Sequence, residues 1–327
     1  MTLRVLASLS TTGMLLALAV PVTPQPTQSR VSGVGTLPVV SKADAPAGTE
    51  TLDVHWVNVA APGVGVMLAA IARPSGAGPF PAVILLHGSH GFGREYVGLA
   101  QDLAHGGLLA VAACWFSGGG GLGSRFITSI SCPDAPSMRG AATLPALQTV
   151  TALVQATRAL PDARRDRVGL IGHSRGGGAA LNYVLKAGDV QAVVLDSTGY
   201  PKELADVASE IKIPILMLHG AEDSAADGGS ALTNPQMARN FESALRRAGK
   251  SVDAKYYAGA GHSGIFASAA QRDDEVQRMV AFSAPSSQLT SSRVAASGTS
   301  LEYDSVVTKT INSPIFICGI GLLHSLE

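Results

Sequence analysis

The stretch Arg167-Val168-Gly169-Leu170-Ile171-Gly172-His173-Ser174-Arg175-Gly176-Gly177-Gly178-Ala179-Ala180-Leu181 decides the fold. A short, β-branched apolar run leads into Gly172, a serine stands at the apex, and small residues open what reads as a helix. A strand that turns sharply into a helix exposes the hydroxyl at its apex, and exposure is one of two things a serine nucleophile needs. The other is a base. Gly172 and Gly176 flank Ser174 where two backbone segments must approach closely, which side chains would prevent. The Gly-x-Ser-x-Gly pattern is common enough in a chain with 37 glycines to be a plain turn, so its weight comes from the strand before it and from partners elsewhere.

Working outward, strands and helices alternate. Residues 52–59 and 64–72 flank a Pro62-Gly63 turn and read as an antiparallel hairpin. Residues 81–86 form a buried-type strand ending on His87-Gly88, and a helix follows over 94–105 with Gly106-Gly107 as its stop. Residues 108–116 are the next strand. Further strands are expected over 168–172, 190–196, 213–219 and 252–257, and helices over 144–160, 174–187, 235–248 and 268–282. The glycine-rich segment 117–140 is too long and irregular for an ordinary connection, and loops of that kind often shape a binding site. This alternation implies a mostly parallel central sheet with helices on both faces, an α/β class in which chemistry collects at the carboxyl ends of the strands.

Two such ends carry the partners Ser174 requires. His219-Gly220-Ala221-Glu222-Asp223 puts a carboxylate after one strand, and Gly259-Ala260-Gly261-His262 puts an imidazole after the next. In the order serine, acid, histidine, His262 would take and return the Ser174 proton while Asp223 fixes the imidazole tautomer. Asp227, one turn further on, and Asp196, at the end of the preceding strand, compete for the acid role. An acyl transfer also needs donors for the developing oxyanion, and the backbone N–H groups of Arg175 and of Ser89 are placed to supply them. The side chain of His90 is a candidate to face substrate; the plainer alternative is a solvent-facing loop histidine.

The chain resembles an α/β-hydrolase of the dienelactone hydrolase superfamily over roughly residues 50–284. The resemblance rests on His87-Gly88, Gly172-His173-Ser174-Arg175-Gly176-Gly177, the 219–223 acid loop and Tyr256-Tyr257-Ala258-Gly259-Ala260-Gly261-His262. It implies the three-layer fold, hydrolysis of carboxylic esters or lactones, and no cofactor. Dienelactone hydrolases proper use cysteine where this chain has Ser174, which points to a serine esterase within the superfamily. The Ser174-Arg175-Gly176-Gly177-Gly178 run is also similar to the elbow of the cutinase and polyester-hydrolase group.

Composition bounds the rest. With 327 residues, 46% hydrophobic and 15% charged, one large core is the simplest organisation. Twenty-four acidic and 24 basic residues leave no net field, so nucleic acid is not an expected partner; a small-molecule or polymeric ester is. Residues 1–26 read as a signal peptide, 27–50 as a linker, 51–284 as the hydrolase domain, and 285–327 as a Ser-rich linker and tail without evident chemistry. Export, to the periplasm or outside the cell, follows from that reading, with no stable membrane span after cleavage. Cys114 and Cys132 can then pair and leave Cys318 odd, or all three can be free thiols. No cysteine has metal-ligand spacing. A peptidase or acyltransferase on the same residues is the alternative function, and a non-catalytic binding module a third.

Overall fold

A computed structural model of the protein describes residues 37–137 and 140–284. Nine strands form one sheet in the order β1-β2-β3-β5-β4-β6-β7-β8-β9. The strands are β1 (Val39–Lys42), β2 (His55–Ala61), β3 (Gly65–Ala72), β4 (Phe80–Leu86), β5 (Leu109–Ala113), β6 (Ala163–His173), β7 (Val193–Asp196), β8 (Ile215–Gly220) and β9 (Val252–Tyr257). The first three run antiparallel to their neighbours, whereas β4 to β9 are mutually parallel. Parallel pairing needs crossovers, and the helices α1 (Arg94–His105), α2 (Leu144–Ala159), α3 (Arg175–Lys186), α4 (Pro235–Arg247) and α6 (Ala269–Ser283) occupy both faces; α5 (Gly264–Ala267) is a single turn.

The period-2 alternation of β4 shows how one strand feeds two cores. Ile84 and Leu86 join Val150 and Leu153 of α2 and Leu181 of α3, while Val83 and Leu85 turn to the other face with Val97 and Leu103 of α1 and Met279 of α6. Local chemistry fixes helix starts. Asn234 caps α4, accepting the Gln236 N–H at 2.9 Å with Pro235 in the first turn, and Thr143 caps α2 in the same way.

The largest differences from the sequence reading lie at two boundaries. Residues 39–42, inside the stretch read as a linker, pair antiparallel with β2 from Val39↔Ala60 to Lys42↔Val57. Their side chains are largely exposed, so this edge strand is held by backbone pairing and carries no strong apolar signal. Strand β6 begins at Ala163, five residues early: Ala163 pairs with Phe80, the register then shifts, and pairing resumes at Ala82↔Val168, so the charged residues Arg164 to Arg167 form an irregular, largely exposed stretch that carries no apolar signal. The segments expected to be a signal peptide (1–26) and a Ser-rich tail (285–327), with Cys318, lie outside the described residues. No helix among the described residues is long and apolar enough to cross a membrane.

Candidate active site

Strand β6 ends on His173 and α3 starts at Arg175, so Ser174 alone makes the turn, with φ 53° and ψ −116°. A non-glycine residue at positive φ is strained by about 1–3 kcal/mol, and the surroundings must impose it. They do so by close packing. A Cβ on Gly176 would run into the Leu86 carbonyl, and one on Gly172 into the backbone of Gly176. The Ser174 N–H donates to the Asp196 carbonyl at 2.8 Å, tying the turn to the end of β7.

The loops after β8 and β9 are neighbours because those strands pair in parallel up to Gly220↔Tyr257. Ala221 N–H donates to the Tyr257 carbonyl and Glu222 N–H to the Ala260 carbonyl, both at 2.9 Å, which locks the acid loop onto the histidine loop. His262 Nε2 then lies 2.9 Å from Ser174 Oγ, and His262 Nδ1 lies 2.7 Å from Asp223 Oδ2. Both Asp223 and His262 are buried. With Nδ1–H donated to the carboxylate, the Nε2 lone pair is left to accept the serine proton. Asp223 Oδ1 accepts a second bond from Thr233 Oγ1 at 2.8 Å, and the Thr233 carbonyl is held by His219 Nε2 at 2.6 Å. Sequence reasoning did not find Thr233; a threonine ahead of Asn234-Pro235 carries no signal beyond a helix start.

The competing acids are engaged elsewhere. Asp227 pairs with Arg125 at 3.1 Å and packs on Gly261, and Asp196 Oδ2 sits 2.7 Å from His173 Nδ1. His90 is neither substrate-facing nor solvent-facing: it is 5% exposed, its Nε2 lies 2.6 Å from the Tyr96 hydroxyl, and its ring stacks on His173 with centroids 5.1 Å apart. The aromatic residues Tyr96 and Phe266 draw it inward, a contact no local sequence pattern announces. Burial pushes the His90 imidazole down to about 2 and that of His87 to about 3, so both are neutral.

The two residues expected to supply oxyanion donors, Arg175 and Ser89, line the same cavity as Ser174. Arg175 N–H opens α3, where backbone donors are free and the helix dipole favours negative charge. Ser89 follows β4; the preceding Gly88 N–H is spoken for by the Tyr96 hydroxyl at 2.9 Å. Ser89, Ser174 and Arg175 line a cavity of about 540 Å³ whose far walls are Leu181, Leu185, Leu204 and Leu232. Among the described residues of that lining Arg175 is the charged one, and its guanidinium lies over the Phe116 ring at 5.2 Å. A larger cavity of about 720 Å³ lies outside the histidine loop, against Tyr257, Gln271 and Asp274, and does not reach Ser174. Of these two, the smaller one opens on the hydroxyl.

Cys114 and Cys132 form a disulfide with Cα atoms 6.6 Å apart, closing the irregular loop onto the end of β5. Among the described residues no group of three or more His, Cys, Asp or Glu side chains is arranged to hold a metal ion.

A mostly parallel sheet with a serine turn at its carboxyl edge, facing an imidazole and an apolar cavity, defines a hydrolase of the α/β class. The chain belongs to the dienelactone hydrolase family, whose model matches residues 67–297, and is with it a hydrolase of esters or lactones. It is 28% identical over 207 residues, 61% of this chain and 68% of the other, to a protein of Methylorubrum extorquens assigned as a carboxymethylenebutenolidase. It is 26% identical over 238 residues, 66% of this chain and 85% of the other, to one of a Bradyrhizobium species assigned as a 2-oxo-3-(5-oxofuran-2-ylidene)propanoate lactonase. The crystal structure of a protein from Klebsiella pneumoniae assigned as a dienelactone hydrolase has the same fold, with a TM-score of 0.53 at 22% identity over 75% of this chain and 98% of that one.

Proposed function

We propose that the protein hydrolyses carboxylic esters or lactones through an acyl-enzyme on Ser174. The observation that carries this reading is the unbroken series Ser174 Oγ, His262 Nε2, His262 Nδ1, Asp223 Oδ2, with separations of 2.9 and 2.7 Å. His262 takes the hydroxyl proton as Ser174 Oγ adds to the substrate carbonyl. The backbone N–H groups of Arg175 and Ser89 hold the oxyanion, and His262 returns the proton to the departing alkoxide. Water then repeats the sequence on the acyl-enzyme. Asp223 orients the imidazole and stabilises its charged form, and Thr233 supports Asp223.

The cavity argues for neutral acyl groups. Ser174, Gly178, Leu181 and Leu185 follow one face of α3, so the apolar wall extends about 16 Å from the hydroxyl at 1.5 Å per residue. Export is part of the same reading: a disulfide between Cys114 and Cys132 suits an oxidising compartment, and the apolar stretch near the amino terminus suits a secretory signal. Turnover of a chromogenic ester series tests the activity. We expect straight-chain neutral acyl esters to be cleaved with higher kcat/KM than a succinate half-ester of similar length. Cleavage confined to peptide amides would replace this reading with a peptidase.

A further inference from the structure

Asp196 competes in the sequence for the role of triad acid, and the geometry gives it other work. His173 and Asp196 are the last residues of β6 and β7 and are register partners across those parallel strands. The His173 and Asp196 side chains are 4% and 3% exposed, with Nδ1 and Oδ2 2.7 Å apart, so this is a second buried imidazole–carboxylate pair, next to the nucleophile in sequence. It takes no part in the proton path described above, which runs through His262 and Asp223.

Its contacts reach all three parts of the reaction machinery. The Asp196 carbonyl accepts the Ser174 N–H at 2.8 Å, so the residue that fixes the His173 ring also fixes the nucleophile's backbone. The His173 ring packs on His262 with centroids 5.2 Å apart. It also lies against Gly88: a Cβ there would come within 2.9 Å of His173 Cδ2, and Gly88 carries the turn into Ser89, the second oxyanion donor. His90 stacks on the His173 ring at 5.1 Å and Phe266 meets it edge-on at 5.3 Å. A ring so enclosed could pivot only about its Cβ–Cγ bond, and the bond from Nδ1 to Asp196 stops that rotation. His173 Nε2 has no partner in its buried site. An unprotonated nitrogen is the less costly group to leave unpaired there, which assigns the proton to Nδ1 and makes Asp196 its acceptor.

We propose that His173 and Asp196 are positioning residues, in which Asp196 locks the His173 ring as the shelf against which both His262 and the oxyanion loop are aligned. The proposal rests on the Ser174–His262–Asp223 reading and adds a second carboxylate with a different role. A shelf does not contact substrate, so its loss lowers kcat and leaves KM nearly unchanged.

The test compares four variants with wild type on a short-chain chromogenic ester, each checked for folding by circular dichroism and for labelling by a fluorophosphonate. Asp196→Asn retains an oxygen that accepts the His173 Nδ1–H, and kcat is expected within about fivefold of wild type. Asp223→Asn is expected to lose about 10³- to 10⁴-fold, as for an orienting acid. His173→Phe keeps a ring but not the bond, and kcat is expected to fall about 10- to 100-fold with KM within about twofold. Adding Asp196→Asn to His173→Phe should then cost little more, because the carboxylate acts through the ring. A loss of 10³ or more in Asp196→Asn would make Asp196 an orienting acid and overturn the proposal. So would wild-type kcat in His173→Phe, or a double variant more than about tenfold slower than His173→Phe alone. Asp196→Asn and His173→Phe preserve shape, so the outcome does not depend on a cavity-forming alanine. Wild-type protein that neither labels nor turns over would bring down the underlying serine mechanism, and this inference with it.

Discussion

At the level of single residues, the site is a set of buried polar groups, each of which needs a partner. Asp223 is the clearest case, because Thr233 Oγ1 and His262 Nδ1 between them occupy its two oxygens at 2.8 and 2.7 Å. Thr233→Val keeps the shape and removes one donor. A hydrogen bond to a charged group is worth about 1.5–3 kcal/mol, so part of that loss should appear as a fall in kcat of roughly tenfold, with KM unchanged, in steady-state kinetics. Ser174, Asp223 and His262 are legible in the sequence because each sits after a recognisable strand, in an order that chain position alone reveals. His90, Thr233 and the engagement of Asp196 are not, since each is set by contacts between segments far apart in sequence, such as His90 with Phe266.

Among the elements, the strand–turn–helix around Ser174 depends on glycines whose missing side chains are filled by neighbouring backbone. Gly176→Ala would drive a methyl into the Leu86 carbonyl, and we expect a variant without measurable esterase activity and with a lowered Tm. The loop between Cys114 and Cys132 is the second element of consequence. Its short helical turn, Leu122–Phe126, reaches the acid loop, where Gly123 meets Gly228 and Arg125 pairs with Asp227. Closing a loop of this size by a disulfide contributes about 2–4 kcal/mol, so Cys132→Ser should lower Tm by roughly 5–15 °C in calorimetry. Arg125→Ala should change stability by less than about 1 kcal/mol, because the Arg125 side chain is 60% exposed and solvent screens the pair. Hydrophobic periodicity places β2 to β9 to within about three residues, except for the charged start of β6. It does not reveal β1, whose exposed side chains show no apolar alternation, nor the path of residues 117–137, which follows from the disulfide and from packing against the acid loop.

Across the whole molecule, the sheet order brings the loop ends of β4, β6, β8 and β9 to one edge and buries titratable groups beneath them. Burial holds His87 at about 3, His90 at about 2, and His173 and His219 below the ordinary imidazole value. The unfolded chain takes up these protons near pH 6.5 while the folded chain does not, so stability from these groups is lost as pH falls from about 6.5. Asp196, pushed up to about 7 by burial, and Glu275, raised well above its usual range for the same reason, act in the opposite sense: each takes up a proton at higher pH in the folded than in the unfolded chain, so their contribution fades as pH rises from about 4 through the folded value, above which Asp196 is the carboxylate paired with His173. The buried histidines outnumber the buried carboxyls four to two, and we expect them to set the direction of the change on acidification. Urea unfolding at pH 7 and pH 5 should therefore show a lower midpoint at pH 5, and equal midpoints would contradict the assignment of neutral buried histidines.

The serine mechanism is tested most directly by the intact mass of the protein after reaction with a fluorophosphonate, for wild type and for Ser174→Ala. We predict one phosphonyl adduct on wild type, located on the peptide containing Ser174, and none on Ser174→Ala together with loss of ester turnover. An adduct of the same stoichiometry on Ser174→Ala, or ester hydrolysis at the wild-type rate by that variant, would contradict an acyl-enzyme on Ser174.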